Sequence, residues 1–399
     1  ERTERKNFGE LVARLSADLR QAKQEKHTAP FFSALPIHRR CQSCGKRPAN
    51  HLDTEVTPNE WLCEICHQKR CRGRKKRSTF TDEFAKWFKC KYDQKVPGKP
   101  AKDLDDLAGR EGRLAFLYAD GNNMGDLLQR AKTPAQYRHI SEALDTAVRE
   151  ALFEALMEAI GRESLLQSQR LPFEIIAVGG DDVTVIVPAQ YGWQLTLKLL
   201  EKFEKKVKHL KEELKLEKSI TMSAGLVVAD VKYPVRFMQR LSEGLLKEAK
   251  RLARERKTES TLCHLWLRAP IASEDAKTVL DALYLREDKR LLTARPFTLK
   301  QACRLIGLAR DLKELPPHQR RLLAEALERG VHTSLNTALY QAQRLDDEQR
   351  KTLLRTFREL GELISNGRDL ERFLFWQRED DEWRTALLDA LELIELGGV

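Results

Sequence analysis

Apolar positions set the first rhythm of the chain. Phe8, Leu11, Val12, Leu15 and Leu19 recur every three or four residues, which predicts an amphipathic helix over residues 8–26. His27–Leu35 breaks that pattern with Pro30 and a short apolar loop. Residues 38–76 are cysteine- and base-rich, and their pattern reads as too irregular for a long element. Residues 91–112, with Pro97, Gly98, Pro100 and an Asp cluster, read as a linker. The rhythm then changes. Arg113–Ala119 (RLAFLYA) is predicted as a strand ending at Asp120, and Ala135–Ile160 as a long helix. Phe173–Val178 and Val183–Val187 are predicted strands joined by the turn Gly179-Gly180-Asp181-Asp182. Gln194–Leu214 reads as a Lys/Glu-rich helix and Ser219–Val228 as a strand. A helix follows from Pro234, which suits a first turn, to about Arg254, and Leu262–Leu267 is a candidate last strand. The order βαββαβ with additions predicts an α+β chain with a ferredoxin-like palm. From about Ala272 the chain is Leu-rich and reads as helical to its end, interrupted at Pro316-Pro317 and Asn366-Gly367. That pattern predicts a helical bundle without a fixed-period repeat. The predicted domains are residues 1–112, 113–270 and 271–399.

Composition narrows the class. Of 399 residues, 41% are apolar and 33% charged, which excludes collagen-like, mucin-like and mostly disordered chains. No apolar run approaches the roughly 20 residues of a membrane span. The start Glu1-Arg2-Thr3-Glu4 carries neither an initiator Met nor a signal-peptide pattern, and suggests a trimmed or partial chain. The net charge of +11 is localised. Residues 1–100 hold 23 Lys/Arg against 12 Asp/Glu, while residues 101–399 hold 48 of each.

Four of the eight cysteines form two CxxC pairs, Cys41/Cys44 and Cys63/Cys66, with 18 residues between the pairs. That spacing matches a four-thiolate zinc site. Gly45 permits the tight turn such a knuckle needs. Four protein ligands leave no open position, so the zinc is expected to be structural. Cys71, Cys90, Cys263 and Cys303 lack such pairing and read as plain thiols; His67 is a less suitable ligand beside a complete cysteine set. Cysteine usage of this kind points to a reducing, cytoplasmic setting. Beside the knuckle lies Lys69–Arg77 (KRCRGRKKR), seven basic residues in nine. Lys69, Arg70, Arg72, Arg74, Lys75, Lys76 and Arg77 read either as a solvated charge run or as a contact to nucleic-acid phosphates.

The acidic residues carry the chemistry. Asp120 ends one predicted strand and is followed by Gly121, and Asp181 and Asp182 sit in a Gly-Gly hairpin turn between two others. In a ferredoxin-like sheet these places neighbour one another at one end of adjacent strands. Carboxylates converging there suit a pair of Mg²⁺ or Mn²⁺ ions, which activate a hydroxyl and stabilise departing pyrophosphate. Gly179 and Gly180 would let a triphosphate approach the backbone. The competing reading is an ordinary Asp/Gly-rich surface turn. Ser223-Ala224-Gly225 interrupts an apolar strand with small residues, which can let a ligand lie against a sheet. Lys250, late in the following helix, carries a charge suited to phosphates.

These residues together resemble a known family, the large palm-domain subunit of type III CRISPR effector complexes. The matching stretches are Tyr118-Ala119-Asp120-Gly121-Asn122-Asn123-Met124-Gly125, Gly179-Gly180-Asp181-Asp182, Ser223-Ala224-Gly225 and Ala249-Lys250, preceded by the cysteine module and followed by a helical region. Met124-Gly125 is more similar to the Cmr-type (III-B) branch than to the Csm-type. The resemblance implies an RNA-guided complex that makes cyclic oligoadenylates from ATP when target RNA is bound. It implies that Asp120, Asp181 and Asp182 hold two metals, that Gly121 offers its carbonyl, that Ser223 contacts an adenine, and that Lys250 grips phosphates. Implied partners are guide and target RNA, small helical subunits, and a second palm upstream of residue 1 or in another chain.

This sequence departs from the family pattern in two places. Asn122 stands where many members carry a second Asp, so a charged ligand is missing there. The chain has no His-Asp dipeptide, so DNA cleavage by an HD nuclease is not expected of it. Two other readings stay open: a stand-alone GGDEF-like nucleotide cyclase, and a catalytically silent RNA-binding scaffold.

Overall fold

The computed structural model describes residues 8–25, 35, 37–56, 58–96, 99–213, 219–256, 259–365 and 371–397. The expected breaks at Pro30, at Pro97-Gly98 and at Asn366-Gly367 lie outside them. The described chain falls into two compact units, one containing the residues up to Val96 with Gly125–Arg138, the other Pro97–Met124 with the rest from His139. Among the described residues no helix is long and apolar enough to cross a membrane.

In the first unit, α1 (Phe8–Gln24) is the expected amphipathic helix, although Leu11, Leu15 and Leu19 on its apolar side are exposed. A two-stranded hairpin, β1 (His51–Asp53) and β2 (Glu60–Leu62), leads into α2, which runs from Glu64 to Tyr92. This corrects the reading of residues 38–76 as lacking a long element, because half of that 29-residue helix falls within them. Charge repulsion within Lys69–Arg77 argues against a helix. Tertiary pairing offsets it: Arg74 Nη2 lies 2.7 Å from Asp53 Oδ2, and Arg70 Nη1 3.1 Å from the same oxygen. Phe84 and Phe88, one turn apart, are fully buried farther along α2.

The second unit begins where a linker was expected. Residues 104–108 form a short helix, α3, capped by the Asp103 side chain, and Leu107 and Ala108 are buried. The Asp cluster there supplies a helix cap and first turn, which the pattern alone did not reveal. Next come β3 (Arg113–Gly121), then α4 (Met124–Gln129) and the start of α5 (Pro134–Ile160), whose Gly125–Arg138 stretch belongs to the first unit, and then α6 (Arg162–Gln167), β4 (Glu174–Gly179) and β5 (Asp182–Pro188). Helices α7 (Ala189–Lys206) and α8 (Lys208–Glu213) lead to β6 (Met222–Asp230), α9 (Val235–Arg256) and β7 (Thr261–Trp266). The sheet order is β4-β5-β3-β6-β7 with one more short strand beyond β7. β3 is antiparallel to both β5 and β6, and β4 to β5, which is the strand arrangement a βαββαβ unit requires. β7 extends the sheet parallel to β6. The pattern explains the layers: β3, β5, β6 and β7 are almost wholly buried because α7 packs on one face and α9 on the other.

The C-terminal region is not helical throughout. Helix α10 (Ala276–Tyr284) is followed by β8 (Arg290–Leu291) and β9 (Phe297–Thr298), the strand that pairs with β7. Helices α11 (Leu299–Lys313), α12 (Pro317–Arg329), α13 (Val331–Gln343) and α14 (Asp347–Ser365) follow; Pro317 opens α12 at the position where a missing N–H costs nothing. Strands β10 (Glu371–Phe373), β11 (Trp376–Glu379) and β12 (Glu382–Thr385) then form a sheet in the order β10-β11-β12-β8, before α15 (Leu387–Glu395). These strands correct the all-helical expectation. Each is two to four residues long, too short for a period-2 pattern to register.

Buried ion pairs tie this region to the palm sheet. Arg295 Nε lies 3.0 Å from Asp389 Oδ1 on α15 and 3.1 Å from His264 Nε2 on β7, and its Nη2 bonds Glu392. Asp389 also accepts from Thr293 Oγ1 and Ala294 N, both at 2.7 Å. One guanidinium shared by two buried acids pins α15 against the edge of the palm.

Candidate functional site

The hairpin between β4 and β5 closes through the pair Gly179↔Asp182, with Gly180 at a φ of +63° that favours glycine. No atom comes within 4 Å of a Cβ placed on Gly179 or Gly180, so the backbone of this turn faces open space. β3 and β5 pair as far as Ala119↔Val183, which puts Asp120 and Asp182 one step beyond, at the same end of neighbouring strands. Gly121 is held by crowding: a Cβ there would lie 2.5 Å from Met124 Cε and 2.9 Å from Asp181 Cβ. The glycine therefore lets Asp181 come up against the end of β3.

The three carboxylates differ in their partners. Asp120 is bonded by the ammonium of Lys250 from α9, which also lies 3.4 Å from the Gly121 carbonyl oxygen. Asp182 accepts from the Tyr118 hydroxyl at 3.4 Å. Burial pushes the Asp181 carboxyl up, and the neighbouring Asp182 adds to this, while the N–H groups of Asp181 and Gly121 pull the other way. Burial also raises Asp182, against the hydrogen bond from Tyr118. Two adjacent carboxyls that resist ionisation together are stabilised by a cation beside them. Burial pushes Lys250 down, and Arg254 adds to the shift.

Carboxylate oxygens and a carbonyl form the hard-oxygen donor set that Mg²⁺ and Mn²⁺ take. The donors present thus fit such ions in kind. In these described residues, however, Asp120, Asp181 and Asp182 do not converge as closely as the four cysteines, whose sulfurs all lie within 4.8 Å of one another.

Behind the aspartates lies a chain of buried hydroxyls. Ser223 Oγ donates to Asn122 Oδ1 at 2.8 Å and lies 2.9 Å from Thr261 Oγ1. Thr261 in turn donates to the Ala249 carbonyl on α9 at 2.8 Å, and Asn122 Nδ2 donates to Thr221 Oγ1 at 3.0 Å. Ser223 is fully enclosed. Its hydroxyl is bonded to Asn122 and Thr261. Ala224 and Gly225 beside it are buried as well. A Cβ on Gly225 would lie 2.1 Å from the Ser242 carbonyl oxygen, so the glycine admits α9. The sequence assigns no role to Tyr118, Thr221 or Thr261; a tyrosine or threonine in a strand carries no such signal until its neighbour across the sheet is known.

The cysteine module is built as expected. Cys41, Cys44, Cys63 and Cys66 place their sulfurs within 4.8 Å of one another. Cys44 Sγ and Cys63 Sγ stand 3.9 Å apart, close to the ~3.8 Å edge of a tetrahedron with metal–sulfur bonds of about 2.3 Å. Gly45, at a φ of +64°, turns the first knuckle, and Cys63 and Cys66 occupy the cap and first turn of α2. Burial raises the Cys41 thiol, but the N–H groups of Cys44, Cys63 and Ser43 more than offset it and bring it down to about 6. Burial and the neighbouring sulfurs push Cys66 up to about 12. Crowded thiols of this kind are compatible with zinc, which lets all four ionise. His67 is not among them; it stacks on His51, and its Nε2 lies 3.6 Å from Cys71 Sγ.

The basic run is divided. Arg70 and Arg74 are engaged by Asp53, Glu60 and Glu55 and act as ties within the module. Lys69 and Arg72 are exposed, and the side chains of Lys75, Lys76 and Arg77 lie outside the described residues.

A βαββαβ sheet with acidic residues at the ends of β3 and β5 and a glycine turn beside them defines a palm domain. Residues 113–258 match the family model described as "Cas10/Cmr2, second palm domain". Similar solved structures include Csm1 of T. onnurineus (14% identity, TM-score 0.44), where the match covers 76% of this chain and 41% of that one. Another is a Csm1–Csm4 cassette in complex with cA4 (15% identity, TM-score 0.39; 74% and 38% covered). A third is an apo Csm1–Csm4 cassette (14% identity, TM-score 0.40; 76% and 40% covered). The chain thus spans at most about two fifths of these proteins' lengths. All three are structures of Csm1, alone or with Csm4. No curated protein matches the chain.

Proposed function

We propose that the palm of this chain is a metal-dependent nucleotidyltransferase that joins ATP into cyclic oligoadenylates within a type III CRISPR effector complex, activated by target RNA. The observation that carries the reading is the placement of Asp120 and Asp182 at the same end of paired strands, with Asp181 packed against Gly121 at the glycine hairpin, inside the segment that matches the Cas10/Cmr2 palm model.

In this reading Asp120, Asp181, Asp182 and the Gly121 carbonyl would hold Mg²⁺ or Mn²⁺, a Lewis acid that would activate the attacking hydroxyl and offset charge on the departing pyrophosphate. The 3′-oxygen of one ATP forms a bond to the α-phosphorus of the next, and the bond to pyrophosphate breaks. The open backbone of Gly179 and Gly180 receives the triphosphate. Lys250 balances its charge, and the chain Asn122–Ser223–Thr261 holds the end of β3 in register with α9. No covalent enzyme intermediate is required, so the residues act by positioning and by charge. The zinc module is structural, and the exposed Lys69 and Arg72, with Lys75, Lys76 and Arg77, face guide or target RNA. Small helical subunits dock on the C-terminal region, and a second palm, upstream or in another chain, completes the nucleotide pair. Met124-Gly125 inclines the reading to the Cmr-type branch.

The test is incubation of the assembled complex with labelled ATP, Mg²⁺ and matching RNA. Oligoadenylate that appears only with RNA supports the reading. A cyclic dinucleotide made without RNA points to a free-standing cyclase, and no product at all to a scaffold; either result overturns it.

A further inference from the structure

Lys250 donates to Asp120 Oδ2 and lies 3.4 Å from the Gly121 carbonyl oxygen. Those are two of the oxygens assigned above to a divalent cation. We propose that Lys250 and the metal compete for this one pair of oxygens, so that Lys250 is a built-in cation that must leave Asp120 before Asp120 and Gly121 can both serve as ligands. The inference rests on the metal-dependent reading of the site and adds to it a gate on metal entry.

The frame around the pair makes this an exchange and not a relaxation. The backbone of α9 cannot retreat: the Ala249 carbonyl, adjacent to Lys250, accepts from the buried Thr261 hydroxyl at 2.8 Å, and Ser242 rests directly on Gly225. Asp120 is fixed in turn by its strand pairing with Ser223. With both backbones held, the exchange falls to the side chains, and the flexible four-carbon stem of the lysine lets it swing away. An ammonium and a divalent ion cannot share the same two oxygens at contact distance, because both are cations and their repulsion there is large. Displacement also has a direction. The ammonium released from Asp120 stays tethered near Gly121, against which Asp181 of the glycine turn packs, and an incoming triphosphate needs a counter-charge there. Metal binding and phosphate binding are thereby coupled, and the coupling is reciprocal.

The test needs no turnover. Mn²⁺ binding to the full chain is measured by electron paramagnetic resonance in the absence of nucleotide, for the wild type, Lys250→Met, Asp120→Asn, the double variant, and Arg254→Met. Competition predicts that Lys250→Met tightens Mn²⁺ binding about tenfold, equivalent to ~1.4 kcal/mol. It also predicts that the gain disappears when Asp120 is already Asn, and that Arg254→Met, which removes a nearby charge without freeing Asp120, changes affinity less than about twofold. Equal or weaker binding by Lys250→Met overturns the competition while leaving the metal site intact. An equal gain from Arg254→Met overturns it too, since the effect is then one of general field. Mn²⁺ bound by neither wild type nor Lys250→Met overturns both this inference and the metal-dependent reading beneath it. Circular dichroism of each variant checks that the fold is retained.

Discussion

Gly225 and Ser242 meet more closely than any other residue type at position 225 would allow: a Cβ on the glycine would stand 2.1 Å from the serine's carbonyl oxygen and 2.7 Å from Leu246 N. Helix α9 therefore lies directly on β6, and that contact sets where Lys250 emerges. Gly225→Ala should push the helix off the sheet and destabilise the protein by about 3 kcal/mol. Gly179→Ala, placed in open space, should change stability by less than about 0.5 kcal/mol. Urea denaturation of the two variants side by side measures the contrast.

If the proposed function holds, replacing Asp181 and Asp182 together by Ala should lower oligoadenylate formation at least about 100-fold, because two proposed ligands and their charge are lost at once. Both groups have their carboxyl pushed up by burial, so their removal relieves a strain and the fold should not weaken. Product assay and thermal melting on one preparation separate the two effects. Lost assembly would mark the pair as structural.

Thr261→Val keeps the shape of a fully buried side chain and deletes the hydroxyl shared by Ser223 and the Ala249 carbonyl. The loss should cost about 1–3 kcal/mol, since the partners are left unsatisfied away from water. Thr261→Ser should recover most of it. Equal stability of the Val and Ser variants, read by differential scanning calorimetry, would show that the relay contributes nothing.

Burial pushes the Asp389 carboxyl up to about 6 from its ordinary 3.8, against the attraction of Arg295. A carboxyl with a raised folded value holds its proton more tightly in the folded chain than in the unfolded one. The stability it contributes is full below about pH 4 and lost as pH rises through about 6, a change of at most about 3 kcal/mol. Stability measured from pH 4 to 6.5 should fall less steeply in Asp389→Asn than in the wild type.

Purified chain should carry one zinc ion, and a strong chelator should remove it more readily below pH 6 than at pH 8, because thiolates take up protons as the metal leaves. Cys63→Ser should abolish binding, and loss of order should report on Trp61 and Trp87 of that unit. Elemental analysis and tryptophan fluorescence check both. Full zinc content in Cys63→Ser would rule out the four-sulfur site.

Much of the site could be read along the chain because its chemistry is local. Two CxxC pairs and Gly45 specify a knuckle wherever they occur, and Gly179-Gly180-Asp181-Asp182 between two β-branched runs specifies a hairpin with acids at its tip. The apolar runs of β3, β5 and β6 are equally direct, since strands buried on both faces must be apolar throughout. The α2 helix is hidden because its own charges oppose it, while Asp53, Glu55 and Glu60, up to 21 residues away, pair with Arg70 and Arg74. The short strands β8 to β12 were hidden because two to four residues carry no period.

Sequence alone thus determined which groups are present and which local turns present them: four thiols on two knuckles, two acids on a glycine turn, a third at a strand end. Tertiary structure alone decided their partners. It set Lys250 against Asp120 across 130 residues, enclosed Ser223 behind Asn122, and turned Gly225 toward a helix. The physical reason is range. Turn geometry and side-chain chemistry act over a few residues, whereas burial, hydrogen bonding and charge pairing depend on which strand lies beside which, and that is settled only when the sheet and its helices close on a common core.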